Sequence, residues 1–335
     1  MTLPTRQIGP FTVSAIGLGC MNLSHAYGTR PSDEEGTALL NRALDLGVTL
    51  LDTAALYGMG ANERLVGGAV MHRRAEFTLA SKCVLDAVDG KRVLDGRPES
   101  IRRTLDGALG RLGTDHIDLY YLHRLDRKVP VEESVGELKR AVEAGKIGAI
   151  GLSEMGAETI RRAHRVHPIA AVQSEYSPMV RNPEIAVLDI CRDLGIGFVA
   201  FSPVARGLLA RGVRDDRYAA GDIRLGMPRF LGDNLRHNLG LVARFDALAD
   251  DAGITPAQLA LGWVLARGDH VVPIPGTRSI AHLEEDVGAA TVSVPADLVD
   301  AVDKLFDGTV RGARYAAAMQ AQIDTEILPG EELAA

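Results

Sequence analysis

The sequence predicts the α/β fold class, as a closed (β/α)8 TIM barrel, from two observations. Short apolar segments typical of buried strands recur eight times along the 335 residues, and most gaps between them hold one amphipathic helical segment flanked by two loops. Eight such units close a parallel barrel. Barrels of this type reach several hundred residues as one unit, so we expect residues 1–335 to form a single domain.

An N-terminal β-hairpin is predicted before the barrel. Two short alternating runs flank Gly9-Pro10 within residues 5–14, and we expect this hairpin to plug one end of the barrel. The first barrel strand is predicted at 15–20. The first helix is predicted to begin after Ser32, which has the capping-box spacing to Glu35.

The other seven strands are predicted by apolar runs near 49–53, 77–82, 117–122, 149–153, 170–174, 197–201 and 271–274. The gap between the seventh and eighth strands is too long for one helix. We interpret 204–233, which is rich in glycine and arginine, as a long loop that covers a ligand. One helix that ends at Asp251 and an extra helix that begins at Thr255-Pro256 are predicted after it. The tail from about residue 325 is expected to fray.

Composition and charge argue against several classes of protein. A formal net charge of −7 disfavours a nucleic-acid partner or an anionic membrane surface. No apolar run has the length of a membrane helix, and the N-terminus lacks a secretory signal, so a cytoplasmic location is expected. The three cysteines, Cys20, Cys83 and Cys191, show no C-x-x-C spacing, so we expect reduced thiols and no metal site.

Polar side chains that can act together follow three consecutive predicted strands. Asp52 ends the second strand and Tyr57 follows it, Lys82 ends the third strand, and His123 ends the fourth. Each residue type alone is more often structural, as a cap, a solvated cation, a packed ring or a hydrogen-bonded imidazole. Because the C-terminal ends of neighbouring barrel strands lie side by side, four chemically coupled groups at these positions predict a catalytic site.

The four groups suit a tyrosine that acts as a general acid. A free phenol has a pKa of about 10 and is too weak an acid for efficient protonation of an alkoxide at neutral pH. A lysine ammonium within about 4 Å would favour the phenolate by up to ~4 kcal/mol at an effective dielectric of about 20, so we expect Lys82 to lower the pKa of Tyr57. Asp52 would hold Lys82, and His123 would orient a substrate carbonyl. None of these groups carries a hydride, so carbonyl reduction would require a nicotinamide cofactor.

A candidate phosphate site follows the eighth strand. Gly276-Thr277-Arg278 precedes a helix predicted over about 279–289 and offers backbone donors, a hydroxyl and a guanidinium. These groups suit the 2′-phosphate of NADP, and the alternative is an ordinary turn with a solvated arginine. The dinucleotide fingerprint is incomplete in this sequence, because Asn22 replaces the third glycine of a motif that begins Gly17-Leu-Gly19.

Three motifs carry the four candidate catalytic residues: Leu51-Asp-Thr-Ala followed by Tyr57-Gly58, Ser81-Lys82, and Leu122-His123-Arg124. In combination they resemble the acid, tyrosine, lysine and histidine motifs of the aldo-keto reductase superfamily, and the likeness covers nearly the whole chain. The resemblance implies an NADPH-dependent reductase of aldehydes and ketones, with NADPH/NADP+ as cofactor and a small carbonyl compound as substrate.

The resemblance also implies a set of cofactor-binding positions. Those near the nicotinamide and its ribose are Cys20, Met21, Asp52, Ser153, Glu154, Gln173 and Phe201. We interpret the side chain of Cys20 itself as a small apolar group of the core. Ser202, Pro203 and Val204 follow Phe201 in the chain, and Arg206 belongs to the next loop, which the resemblance places over the pyrophosphate. Those at the 2′-phosphate and adenine end are Gly276, Thr277, Arg278, His282, Glu285 and Asp286.

Three residues depart from the commonest pattern of the superfamily. Glu154 and Asp286 each replace an asparagine, and Arg127 replaces a proline in the loop after His123. A carboxylate at Glu154 would favour the cationic oxidised nicotinamide, so we hypothesise a weaker bias toward reduction. Asp286 bears on the strength of the preference for the 2′-phosphate.

Two other functions compete with the reductase. Some relatives bind partner proteins and turn over slowly, so a nicotinamide-nucleotide-binding sensor or regulatory subunit is the alternative. A metal-dependent barrel hydrolase ranks third, because neither His-x-His nor His-Glu-x-x-His occurs. Substrate specificity is expected from the loops after the first, fourth and seventh strands and from the tail near Arg314 and Tyr315. The sequence specifies neither the substrate nor the oligomeric state.

Overall fold

The structure, a computed structural model, describes residues 3–24, 26–88 and 91–334. In chain order its strands are β1 (Thr5–Ile8), β2 (Phe11–Ser14), β3 (Leu18–Gly19), β4 (Leu50–Asp52), β5 (Thr78–Cys83), β6 (Leu85–Val88), β7 (Lys91–Leu94), β8 (Ile117–Leu122), β9 (Ile147–Ser153), β10 (Ile169–Glu175), β11 (Gly197–Phe201) and β12 (Val271–Ile274). Strands β3, β4, β5, β8, β9, β10, β11 and β12 pair in this order, all in parallel. Hydrogen bonds of 3.0 Å from Gly17 N to Pro273 O and from Gly19 N to Pro275 O join the first strand to the last. The predicted (β/α)8 barrel is confirmed.

Helices alternate with the barrel strands and surround them. They are α1 (Asp33–Asp45), α2 (Ala61–Val70), α3 (Pro98–Leu112), α4 (Val131–Glu143), α5 (Ala157–Val166), α6 (Val187–Leu194), α7 (Gly232–Asp251), α8 (Pro256–Leu265), α9 (Ile280–Gly288), α10 (Ala296–Phe306) and α11 (Ala317–Gln320). The predicted capping box starts α1, because Ser32 Oγ accepts from Glu35 N at 3.2 Å and the Glu35 carboxylate accepts from Ser32 N at 2.8 Å. Among the described residues, we find no helix whose length and apolar character would let it cross a membrane.

The hairpin of β1 and β2 closes one end of the barrel, as predicted. Ile8 and Val13 are fully buried and belong to one apolar cluster with barrel side chains such as Leu50 and Val199. A Cβ on Gly197, the first residue of β11, would lie 3.0 Å from Ile8 Cα, so the hairpin packs tightly at the N-terminal ends of the strands. The C-terminal ends of the strands form the open end, where active sites of such barrels are built.

The segment 204–233 crosses this open end in short helical turns. The Ile223 N–H donates to Ala26 O at 2.9 Å, and Asp222 Oδ2 accepts from Gly28 N at 3.2 Å. These bonds join the segment to the loop after β3, which lies two strands from β11 around the barrel, beyond β12. We call residues 204–233 the strap.

A second hairpin, β6 with β7, follows β5 and was not predicted. The sequence signal for it is an Asp-Gly dipeptide between two alternating runs, which favours a tight hairpin turn. The turn residues 89 and 90 themselves lie outside the described residues. Leu85 and Leu94 of this hairpin pack in one apolar cluster with Leu56 and Tyr57, so the hairpin forms a wall beside the predicted catalytic tyrosine.

The expectation that the tail frays from about residue 325 is wrong for its described part. The Glu326 carboxylate accepts from Ala157 N at 2.7 Å, and Asp324 accepts from Gly156 N at 3.1 Å, so both acids cap the start of α5. Further along, Glu331 accepts from Asn182 Nδ2 at 2.6 Å. The partners are more than a hundred residues away in the chain, so no local sequence pattern reveals them.

Candidate active site

A cavity of about 740 Å³ opens at the C-terminal ends of the barrel strands. It is lined by most of the residues that the sequence singled out: Met21, Asp52, Tyr57, His123, Ser153, Gln173, Phe201, Ser202, Pro203, Val204, Arg206, Gly276, Thr277, Arg278, His282, Glu285 and Asp286. Lys82 lies behind Asp52 and Tyr57 rather than on the surface of the cavity. The side chains of Cys20 and Glu154 do not line it.

Lys82 joins the predicted catalytic residues in one buried cluster. Its side chain is fully buried, and its ammonium donates to Asp52 Oδ1, to Thr53 O at 2.9 Å and to Tyr57 Oη at 3.5 Å. Gln173 Nε2 donates to the second carboxylate oxygen, Asp52 Oδ2, at 2.8 Å. Burial by itself would lower the pKa of Lys82, but Asp52 and Tyr57, which also accept hydrogen bonds from the ammonium, together outweigh burial, and the pKa lies above its ordinary value. Lys82 is therefore a fixed cation beside the Tyr57 phenol.

The position of Tyr57 depends on a strained turn. Tyr57 starts a short turn in which Gly58, Met59 and Gly60 all have positive φ, at 55°, 53° and 82°. A Cβ at Gly58 would lie 3.0 Å from Ser24 O. The turn brings the tyrosine ring back over the end of β4, edge-on to the His123 ring at a centroid distance of 5.9 Å. The two rings thus flank one region of the cavity.

We expected Lys82 to lower the pKa of Tyr57, but in the structure this pKa lies above its ordinary value. Burial is the largest effect on the phenol and raises its pKa, Lys82 opposes it only in part, and Asp52 adds to the rise. Tyr57 is only 8% exposed because Leu56, Leu85 and neighbouring apolar side chains surround it. The phenol therefore holds its proton at neutral pH, which is the state a general acid needs before the reaction.

The predicted phosphate turn lies at the other end of the cavity, at the N-terminus of α9. Asn22 Nδ2 donates to Gly276 O at 2.8 Å, and a Cβ on Gly276 would lie 2.8 Å from Gly19 O, so only glycine fits this turn. Arg278 donates to Thr29 O and lines the cavity. The turn therefore offers a cation and the positive end of a helix to an anion of the size of a phosphate.

Asp286, on the second turn of α9, has an unusual environment for a carboxyl group. It is 7% exposed, and burial, followed by the charge of Glu285, raises its pKa to about 8. At neutral pH Asp286 is therefore mostly a neutral acid that can donate a hydrogen bond, as the asparagine amide usual at this position would. The sequence alone did not reveal this protonation.

Glu154 points away from the cavity, contrary to the expectation that its carboxylate faces the nicotinamide. The residue has a φ of 53° and is fully buried. Its carboxylate accepts from Glu175 N at 2.7 Å, from Arg314 Nη2 at 3.2 Å and from Thr325 Oγ1 at 3.1 Å. Glu154 therefore fixes the C-terminal segment to the barrel.

Arg206 of the strap is already bound within the protein. Its guanidinium pairs with the Glu175 carboxylate at 2.9 and 3.1 Å and donates to Tyr27 Oη at 2.9 Å and Tyr315 Oη at 3.2 Å. This cluster joins the strap, the loop after β3 and the C-terminal segment under the cavity. In the C-terminal segment, Tyr315 lines the cavity and Arg314 lies behind it. A role of this segment in substrate specificity stays a prediction.

Two cavity arginines were not assigned a role from the sequence. Arg124 follows His123 directly, and Arg92 lies on β7 of the unpredicted hairpin. Arg124 is 9% exposed, and its Nη1 atom donates to His123 O at 2.6 Å and to Ser153 Oγ at 3.3 Å. A sequence signal existed only for Arg124, in its position next to a candidate catalytic residue.

Comparison with known proteins identifies the class of this chain. A family model described as the Aldo/keto reductase family matches residues 15–307. The chain belongs to this family of oxidoreductases. Aldo-keto reductases use NADP(H), so the predicted class of cofactor is confirmed for the family.

Individual relatives match over almost the full length. The chain is 43% identical over 341 residues to "Aldo-keto reductase yakc [NADP(+)]" of Schizosaccharomyces pombe, covering 98% of this chain and 100% of the relative. It is 42% identical over 314 residues to "Probable aldo-keto reductase 1" of Glycine max, covering 91% and 89%. Among solved structures, the glycerol dehydrogenase AKR11B4 from Gluconobacter oxydans matches with a TM-score of 0.82 at 27% identity, covering 98% of each chain. The holo form of the aldo-keto reductase AKR11C1 from Bacillus halodurans matches with a TM-score of 0.77, also at 27% identity, covering 94% and 98%.

Proposed function

We propose that this chain reduces aldehydes or ketones to alcohols with NADPH, and that Tyr57 is the general acid. The observation that carries the proposal is the contact of Tyr57 Oη with a buried Lys82 that Asp52 holds in place, at the edge of a cavity large enough for a cofactor and a small substrate. We also propose that residues 1–335 form a single domain. The cytoplasmic location and the absence of nucleic-acid and membrane partners stay predictions of the sequence.

Each residue of the cluster has a role that follows from its position. A bound nicotinamide supplies the hydride that no side chain can carry. The Tyr57 hydroxyl and the His123 ring flank the region where a carbonyl oxygen would lie, so both can hydrogen-bond to it. As negative charge develops on that oxygen, Tyr57 gives up its proton, and the adjacent Lys82 cation stabilises the phenolate that remains. Asp52 keeps Lys82 charged and in place.

The remaining cavity fits a dinucleotide phosphate. The N-terminus of α9, Thr277 and Arg278 would hold the 2′-phosphate, and the strap would cover the pyrophosphate. The bonds between the strap and the loop after β3 hold the strap across the mouth of the cavity. The relative from Schizosaccharomyces pombe is named for NADP(+), which supports the same cofactor for this chain.

The test is the loss of NADPH absorbance with a panel of aldehydes. Steady oxidation of NADPH that depends on an aldehyde, and that Tyr57→Phe removes, is the expected result. Tight binding of NADPH without turnover on any aldehyde would contradict the proposal and favour a nucleotide-binding sensor.

The affinity for NADPH is expected to fall as the pH rises through about 8. Asp286, whose burial raises its pKa to about 8, is neutral below this pH and charged above it. The new negative charge lies beside Glu285, at the end of the cavity proposed for the 2′-phosphate, so the dissociation constant should rise by about tenfold from about pH 7 to about pH 9. Fluorescence titration with NADPH measures it. Asp286→Asn should show no such rise, and an equal pH dependence in both proteins would exclude Asp286 as its cause.

Glu154→Gln is expected to lower stability without changing the balance of the two reaction directions. The substitution leaves the buried Arg314 cation without its carboxylate partner, which should decrease the free energy of unfolding by about 3 kcal/mol. Because Glu154 does not face the cavity, the ratio of forward to reverse rates should stay within about twofold of the wild type. Thr325→Val removes only one hydrogen bond to the same carboxylate and is the control. A large change in the rate ratio would restore the hypothesis that this carboxylate acts on the nicotinamide.

A further inference from the structure

We infer that the substrate carries an oxyanion, a carboxylate or a phosphate, close to its carbonyl group, and that Arg92 and Arg124 bind it. This inference rests on the proposed carbonyl reduction and extends it to a class of substrate. It comes from two cations of the cavity near Tyr57 that have no carboxylate partner in the part of the chain that the structure describes.

The cavity arginines fall into two groups. Arg30, Arg206 and Arg224 each pair with a carboxylate, at 2.6, 2.9 and 2.7 Å respectively. Within the described parts of the chain, Arg92, Arg124 and Arg278 have no carboxylate partner within 4 Å. Arg278 lies at the phosphate turn, where the cofactor offers it an anion. Arg92 and Arg124 lie at the opposite end, beside Tyr57 and His123.

Arg124 is a buried cation with donors to spare. A guanidinium has five N–H donors, and the hydrogen bonds of Arg124 to described residues both come from Nη1. Its Nε and Nη2 groups therefore stay available, in a side chain that is only 9% exposed and lines the cavity. A buried cation is stabilised by an anion, and a planar guanidinium suits the two oxygens of a carboxylate or a phosphate.

Arg92 lines the same cavity from strand β7. In strand β7, Arg92 and Leu94 project on the same face of the hairpin, and Leu94 packs in the cluster that contains Tyr57. Arg92 is exposed to the cavity. The protein atoms around the inner part of the side chain, and then the charge of Arg124, lower the pKa of Arg92 although its surface remains accessible from the cavity. The two cations are therefore within electrostatic reach of each other.

The carboxylates of the cavity do not neutralise this pair. Among the described lining residues, Glu35 belongs to the capping box of α1, and Glu285 and Asp286 lie on α9. Asp52 is the carboxylate near Tyr57, and it is bound to Lys82 and Gln173. Two cations that line the same cavity near Tyr57, and that have no carboxylate partner among the described residues, attract an anion to that part of the cavity. A carbonyl that approaches Tyr57 brings its neighbouring substituents to this space.

The experiment compares matched aldehydes that differ only in charge. The ortho, meta and para isomers of formylbenzoate are each measured beside the corresponding formylbenzamide, which has nearly the same shape and no charge, and formylphenyl phosphates form a second set. We expect kcat/KM for at least one anionic isomer to exceed that of its neutral partner by about tenfold or more. The set with the greater preference identifies the oxyanion as carboxylate or phosphate. Added salt should reduce the preference.

Substitutions of Arg92 and Arg124 test whether these two arginines cause the preference for anionic aldehydes. Arg92→Gln and Arg124→Gln should each lower the ratio of anionic to neutral kcat/KM by about fivefold or more, and Arg124→Lys should retain part of it. Arg161→Gln, which removes an equal charge from the exposed face of α5, should leave the ratio unchanged. Arg92 is exposed on a hairpin, so Arg92→Gln keeps the test available if the buried Arg124→Gln does not fold.

Two results would overturn the inference: a ratio of about one for all isomers in the wild type, or a ratio that neither glutamine variant alters. Failure of the proposed function itself appears differently, since then no aldehyde, charged or neutral, is reduced. Calorimetric binding of benzoate to the protein with NADP+ is independent of turnover. Benzoate should bind more tightly than benzamide, and Arg92→Gln should remove the difference.

Discussion

Tyr57→Phe should lower kcat/KM for carbonyl reduction by about 10²–10⁴-fold while NADPH still binds with nearly wild-type affinity. The phenylalanine ring fills the same apolar cluster, so the substitution removes the hydroxyl and little else. Without it the developing alkoxide loses its proton donor, and general acid catalysis contributes on this order. Steady-state kinetics with an aldehyde that the wild type reduces, together with a fluorescence titration of NADPH, measure both quantities.

Tyr120→Phe is the matched control for this substitution. Tyr120 is fully buried in the layer between strands and helices, and its hydroxyl has no hydrogen-bond partner among the described residues. Its removal should leave kcat/KM within about twofold of the wild type. If Tyr57→Phe kept more than about a tenth of the activity, Tyr57 would not be the proton donor.

Lys82→Met should lower both the stability and the activity of the protein, and the two effects can be measured separately. Methionine leaves the Asp52 carboxylate buried without its cation, so the free energy of unfolding should fall by about 3–5 kcal/mol. Activity should also fall steeply, because no cation remains to stabilise the phenolate of Tyr57. Denaturant unfolding and steady-state kinetics are the two measurements.

The double variant Asp52→Asn/Lys82→Met distinguishes stability from catalysis. It removes both charges, so most of the lost stability should return, while activity should stay at the level of the single variant. Recovery of activity in the double variant would mean that Lys82 acts only by neutralising Asp52. A single variant as stable as the wild type would contradict the burial of this ion pair.

The barrel and the proximity of the candidate catalytic residues were predictable because local patterns encode them. Apolar runs at regular intervals fix the strands, and parallel strands bring their C-terminal residues to one rim, which is why Asp52, Lys82 and His123 could be placed together. The capping box at Ser32 likewise depends on residues three apart in the chain.

The rest depends on contacts between distant parts of the chain. The orientation of Glu154 is fixed by a positive φ and by Arg314, 160 residues later. The net effect on the Tyr57 pKa depends on how much apolar surface the β6–β7 hairpin places around the phenol, and burial exceeded the effect of Lys82. Arg92 and Arg124, which have no carboxylate partner among the described residues, become visible only when the charges of the cavity are compared in three dimensions.

The N-terminal hairpin has a consequence for the route by which ligands enter. It fills the N-terminal end of the barrel with Ile8 and Val13, so in the described part of the chain the cavity opens at the opposite rim. A cofactor and a carbonyl compound would both have to reach Tyr57 through that rim. Substitutions that widen the plugged end of the barrel would therefore create a second entrance, whereas changes in the loops of the rim act on the existing one.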